Sequence, residues 1–232
     1  MKNILLIGGS YGIGLAIAKE LQFENNIYIA SRSNENLADV KATHIAFDAT
    51  TDTIDTSQLP TVIDGLVYCP GSINLRPFKG LKPEAFESDL QINFISLVKV
   101  IQSVLPNLLA SEQASIVAFS SVAATMGMPF HTSVAASKGA IEGFAKALAA
   151  EYAPKIRVNV IAPSLTDTPL ADKFLNNETK QEKSAERHPL KRFGKPEDSA
   201  QMASFLLSDK SSWISGQIFH VDGGMSTLLV NG

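Results

Sequence analysis

Gly8, Gly12 and Gly14 follow a short apolar run, Asn3 to Ile7, and lead into the helically spaced apolar residues Leu15, Ala16, Ala18 and Leu21. The order reads strand, glycine turn, helix. Glycine lets the backbone turn tightly and lets a phosphate approach a first helical turn whose unpaired N–H groups and positive dipole end face outward. The chemistry on offer is the cradling of a dinucleotide pyrophosphate, although the same spacing also serves a bare strand-to-helix turn. A second group of residues bears on which dinucleotide. The apolar run Ile27 to Ala30 ends in Ser31-Arg32-Ser33, about twenty positions past the glycines, where an acid would accept from the adenosine ribose 2′-OH. No acid is present, so a ribose 2′-phosphate would meet a guanidinium and a hydroxyl, which favours NADP(H). Arg32 as a solvated loop charge is the plain alternative.

These groups need a frame to hold them. After the first helix, short apolar runs recur at Ile27–Ala30, His44–Phe47, Gly65–Cys69, Ser115–Ser120, Ile156–Ala162 and Gln217–Val221. Between them lie helical patterns at about Pro83 to Leu109, with a bend expected near Pro106, at Ser133 to Tyr152, and from Pro196 to about Ser208. Such alternation predicts an α/β fold, a doubly wound parallel sheet with helices on both faces, because each parallel crossover needs a long connection. Ligands then bind beyond the carboxyl ends of the strands. No linker or repeat divides the 232 residues, so one domain is expected. The segment at about 170–193 differs in texture, being dense in Lys, Glu, Asn and Gln; it reads as a flexible flap over a site or as a solvated helical insertion.

Composition narrows the classes. A net charge of −3 with scattered Lys and Arg offers no basic stripe, so no nucleic-acid partner is expected. The single cysteine, Cys69, sits in an apolar run and reads as a buried reduced thiol. The first residues are too short an apolar run for a signal peptide, and no apolar segment is expected to reach membrane-spanning length, which points to a cytoplasmic protein. His44, His188 and His220 lack partners at ligand spacing, so no metal site is expected, and Trp213 reads as a packing residue.

Taken together, Gly8-x-x-x-Gly12-Ile13-Gly14, Asn93, Ser121, Lys138, Arg157-Val158-Asn159-Val160-Ile161-Ala162-Pro163, Arg192-x-Gly194-x-Pro196-Glu197 and Val221-Asp222-Gly223-Gly224 resemble the short-chain dehydrogenase/reductase family over residues 3 to 227. The resemblance implies a Rossmann-like, seven-stranded sheet in the order 3-2-1-4-5-6-7, a nicotinamide cofactor, and hydride transfer involving a small carbonyl or conjugated-alkene substrate. It places cofactor contacts at Gly8, Ser10, Tyr11, Gly12, Ile13, Gly14, Ser31, Arg32, Asp48, Ala49, Gly71, Lys138, Pro163, Thr166 and Thr168. It also implies a homodimer or homotetramer, joined through the alanine-rich helix Ala135 to Ala150 and the helix beginning near Pro83.

The catalytic set that the resemblance implies is Ser121 on the substrate oxygen, Lys138 on the nicotinamide ribose, and Asn93 anchoring a water near the lysine. Ketone-reducing members carry a proton-donating tyrosine four residues before the lysine; that position here is Val134, which donates nothing. His131, seven residues before Lys138, stands where enoyl thioester reductases of the family place their tyrosine, and an imidazole can protonate an enolate or alkoxide. A histidine in such a loop is more often just a polar loop residue, and Ser133 and an ordered water are lesser candidate donors. The missing tyrosine also opens a second reading, an NADP(H)-binding sensor or inactive partner subunit. Two further departures are Ser164 after Pro163, where the family has glycine, and Tyr68-Cys69-Pro70-Gly71 in place of an Asn-Asn-Ala-Gly turn.

Overall fold

The computed structural model describes residues 1–230. Seven strands, β1 (Lys2–Ile7), β2 (Asn25–Ser31), β3 (Ala42–Ala46), β4 (Gly65–Tyr68), β5 (Ala114–Phe119), β6 (Ile156–Pro163) and β7 (Ile218–Val221), form one sheet in the order β3-β2-β1-β4-β5-β6-β7. All six pairings are parallel. The helices are α1 (Gly12–Leu21), α2 (Pro83–Leu90), α3 (Ser96–Leu109), α4 (Thr132–Tyr152), α5 (Asp172–Leu175), α6 (Glu178–Glu186) and α7 (Pro196–Leu207). This is the doubly wound parallel sheet that the alternation of apolar runs predicts, in the Rossmann-like strand order that the family resemblance implies.

Alternation along each strand divides the core in two. Leu5 and Ile7 of β1, Leu66 and Tyr68 of β4 and Ile116 and Ala118 of β5 face α3 and α4; Ile4 and Leu6, Val67, and Val117 and Phe119 face α1 and α7. Buried on both faces, the strands show period-two alternation of direction but not of polarity, which is why they appear in sequence as unbroken apolar runs. The chain winds outward from β1 to β3, returns to β4 on the other side of β1, and so opens a crevice beyond the carboxyl ends of β1 and β4.

Several expectations change here. The long helix after Pro83 is interrupted at a five-residue π-turn, Gln91–Ile95, and not at Pro106, which sits inside α3 close to its end. The whole run Pro83–Leu109 does reach spanning length, with a mean hydropathy of 1.5 over 18 residues. Its apolar residues Leu97, Val100, Ile101, Val104 and Leu108 pack instead against the sheet. Trp213 is 99% exposed and packs against nothing. The segment 170–193 is largely helical, comprising α5 and α6, with Leu175, Ser184 and His188 buried beneath it.

Candidate active site

The glycine turn opens at the carboxyl end of β1. Gly8 and Gly12 adopt φ of 77° and 58°, the left-handed region that only glycine enters without strain. At Gly14 a Cβ would lie 2.3 Å from the Gly8 carbonyl oxygen, so α1 can start this close to the strand only without a side chain. Tyr11 caps α1 with no side-chain hydrogen bond, which leaves the first-turn N–H groups to an external acceptor. These features fit a dinucleotide pyrophosphate: the cradle is backbone, and any larger residue would fill it.

A groove of about 210 Å³ runs from this turn, lined by Gly8, Ser10, Tyr11, Gly12, Ile13, Gly14, Ser31, Arg32, Asp48, Ala49, Gly71 and Thr168. Arg32 is exposed at its far end. Ser31 is buried and its hydroxyl is committed: it donates to the Ser33 carbonyl at 2.9 Å, while His44 Nε2 lies 3.1 Å from both its hydroxyl and its carbonyl oxygen. The hydroxyl expected beside Arg32 is therefore better supplied by Ser33, which also lines the groove. Asp48 accepts from the Thr50 hydroxyl (2.6 Å) and amide (2.9 Å), and these bonds hold its carboxyl below the usual range, with a further contribution from Arg32.

Beyond Gly71 the groove meets a cavity of about 440 Å³ that brings together Ser121, His131, Val134, Lys138, Pro163, Thr166 and Thr168. Lys138 projects from α4, and its Nζ donates to the Phe119 carbonyl at the end of β5 (2.9 Å), leaving two of three N–H groups for a ligand. Burial lowers this ammonium to about 8, an effect that Cys69 and Asp89 partly offset. Gly71 is where a backbone must pass close, since a Cβ there would sit 3.0 Å from Asn93 Oδ1 and 3.3 Å from Lys138 Nζ. Asn93 lies in the π-turn, fully buried, its amide donating to Ser72 Oγ (2.9 Å) and the Asp89 carbonyl (2.8 Å). Tyr68 braces the same turn, donating its hydroxyl to the Ile92 carbonyl at 2.7 Å.

Ser121 caps the short turn after β5, where its Oγ accepts from the Ala123 amide at 3.2 Å, and it lines the cavity. His131 Nδ1 lies 2.7 Å from the Pro129 carbonyl. A carbonyl only accepts, so Nδ1 carries a hydrogen, and Nε2 has no partner among the described residues. Val134 is buried in the cavity wall, whereas Ser133 is sealed away, its hydroxyl without a partner among the described residues, and it lines neither groove nor cavity. Cys69 is half-buried between groove and cavity, and enclosure of its sulfur pushes the thiol up to about 12.

Two polar pairs lie outside the sequence expectations. His188 is buried, donates from Nδ1 to the Ser184 carbonyl (2.6 Å) and accepts at Nε2 from the Ser164 hydroxyl (2.9 Å), tying the end of α6 to the end of β6. The only sequence signal was that Ser164 departs from glycine; nothing linked it to a histidine 24 residues on. Ser72, on the cavity wall, donates to buried Asp89 at 2.6 Å, which also accepts from Asn74 at 2.7 Å. Phe174 lines the cavity, whereas Leu175 is buried and Leu190 is exposed, and neither lines it.

A glycine-turn groove joined to a cavity holding a buried lysine and a serine defines an α/β dinucleotide-binding oxidoreductase. A family profile described as Enoyl-(Acyl carrier protein) reductase matches residues 8–226. The chain is 33% identical to 3-oxoacyl-(acyl-carrier-protein) reductase FabG of Thermotoga maritima, over 97% of both chains, and 30% identical to 2-(S)-hydroxypropyl-CoM dehydrogenase 3 of Xanthobacter autotrophicus, over 98% of both. Among solved structures, gluconate 5-dehydrogenase from Burkholderia cenocepacia in complex with NADP and tartrate superposes with a TM-score of 0.89 at 25% identity, covering 98% of this chain and 96% of that one. The chain belongs to the short-chain dehydrogenase/reductase family.

Proposed function

We propose that the protein is an NADP(H)-dependent reductase of a small carbonyl or conjugated-alkene substrate. The observation that carries this reading is the convergence of Ser121, His131 and Lys138 on one cavity continuous with the glycine-turn groove. Arg32 at the adenosine end, with no acid at the close of β2, supports NADP(H), as does the NADP bound by the gluconate 5-dehydrogenase. When bound, the nicotinamide supplies the hydride. Lys138, with two N–H groups left over, would hold the ribose end of the cofactor, and Ser121 would donate to the substrate oxygen. Asn93, rigid in the π-turn, fixes the space beside Lys138 for a water.

Val134 stands four residues before Lys138, where ketone-reducing members carry tyrosine, and so the proton must come from elsewhere. His131 is placed for this: with Nδ1–H given to Pro129, Nε2 delivers a proton only when the ring is an imidazolium. A conjugated alkene suits this site better than a ketone, because an enolate accepts its proton from a weaker donor. The apolar wall at Val134 equally favours the second reading, a cofactor-binding subunit without turnover. We also read the chain as a homo-oligomer, since Gly139 and Gly143 on α4 face open space that a second helix can enter.

Loss of NADPH absorbance across matched enones and ketones tests the reductase. Enone turnover is expected in the wild type, with at least a hundredfold loss in Lys138→Ala and a loss on the order of a hundred- to ten-thousandfold in His131→Ala, what one acid catalyst supplies. Tight NADPH binding with no turnover of any substrate would replace the reductase with the binding subunit.

A further inference from the structure

The cavity wall contributed by α5 and α6 carries charge of one sign. Lys173, Lys180, Lys183 and Arg187 all line it, and no aspartate or glutamate does. The arrangement on α6 is built by helical period: Lys180, Lys183, Ser184 and Arg187 fall within about 100° of arc, while Glu178, Glu182 and Glu186 fall on the opposite side. The helix thus separates its own charges, bases toward the cavity and acids away from it. None of the four cations is in an ion pair with a carboxylate among the described residues. Lys173 and Lys180 lean on neutral acceptors, the Ile73 carbonyl at 2.9 Å, and the Lys173 carbonyl and Asn176 Oδ1 each at 2.8 Å. The side chains of Lys183 and Arg187 have no hydrogen-bond partner among the described residues. They flank Ser184 and His188, which are buried and fix that end of α6 to Ser164.

A cation row with no counter-charge, set above an apolar pocket of about 440 Å³, raises the local concentration of anions and gives them a fixed seat. Arg187 can meet two oxygens of a carboxylate or phosphate at once, and Lys183 adds a point charge beside it. We propose that the substrate is an anion: a small carbonyl or enone compound whose carboxylate or phosphate is held by Lys183 and Arg187 while its apolar portion occupies the pocket between Phe174 and Val134. The assignment rests on the cavity being the substrate site, and it names the class of compound that site takes.

The experiment compares a 4-oxo-2-alkenoate with its methyl ester, and an enone phosphate monoester with its parent alcohol, by kcat/KM for NADPH oxidation. The wild type should prefer each anion over its neutral counterpart by at least tenfold, mainly through KM, and the preference should shrink as salt rises from 0.05 to 0.5 M, on the order of a Debye length shortening from about 14 to 4 Å. In Lys183→Glu/Arg187→Glu the preference should vanish or reverse, while Glu182→Gln, on the outward face, should keep it. Whichever anion gains more identifies carboxylate or phosphate as the seat's natural occupant. A wild-type preference for the neutral compounds, or one that survives the double charge reversal, overturns the proposal and leaves the reductase standing. If nothing is turned over, the reductase falls, and the thermal shift of NADPH-loaded protein with acid against ester decides this proposal instead: stabilisation by the acid alone, lost in the double variant, upholds it, and equal shifts end it.

Discussion

Burial brings the Lys138 ammonium from an ordinary 10.5 to about 8, and this has a thermodynamic consequence apart from catalysis. Between pH 8 and 10.5 the unfolded chain binds the proton that the folded one has released, so stability contributed by this site rises with pH across that window. Below pH 8 the charged lysine costs the fold something on the order of 3 kcal/mol. Lys138→Met, of similar length, should therefore unfold at a higher temperature than the wild type at pH 7, with the gap closing toward pH 10; calorimetry of both proteins across that range measures it. Equal gaps at pH 7 and 10 would mean that the lysine is not enclosed. At this scale the sequence speaks clearly where a residue belongs to a spaced motif, as Ser121 and Lys138 do. It is silent on the pairing of His188 with Ser164, because only the packing of α6 on β6 brings the two near.

The π-turn at Gln91–Ile95 sets Asn93 against Gly71 and Ser72, and Tyr68 at the end of β4 holds it there through the Ile92 carbonyl. Where the family's Asn-Asn-Ala-Gly turn is altered, the bracing is thus done by a phenol that reaches across to the helix. Tyr68→Phe keeps the ring in the core and removes only that donor, so it should lower stability by about 1–3 kcal/mol. It should also weaken NADPH binding, because Asn93 adjoins the freed turn; titration by fluorescence and thermal melts report the two effects separately. A fall in stability with unchanged affinity would show the brace to be structural alone. Elements were legible in sequence wherever a short apolar run ended at glycine or proline, as at Cys69-Pro70-Gly71 and Ala162-Pro163. The π-turn was not, because its residues carry no signature distinct from helix. Pro106, which does carry a helix-breaking signature, sits near the end of α3, where little helix remains to be broken.

The topology of the whole molecule was legible because parallel order follows from alternation, and the family motifs recur in the order that this sheet needs. Its assembly was not, since nothing in a sequence of small residues says whether a surface is covered. Gly139 and Gly143 leave room on α4, so Gly143→Trp should lower the mass measured by light scattering from oligomer to monomer while the far-ultraviolet dichroism stays unchanged. A monomeric wild type would remove the oligomer from consideration. The parallel sheet also governs how the molecule comes to exist. None of its six pairings can be started by a tight hairpin, so each waits for a crossover to fold and close. The glycine turn belongs to β1, Arg32 follows β2, Gly71 follows β4 and Lys138 lies opposite the end of β5. The groove is closed on its last side by Thr168, beyond β6, so a nascent chain completes its wall only once synthesis has passed β6.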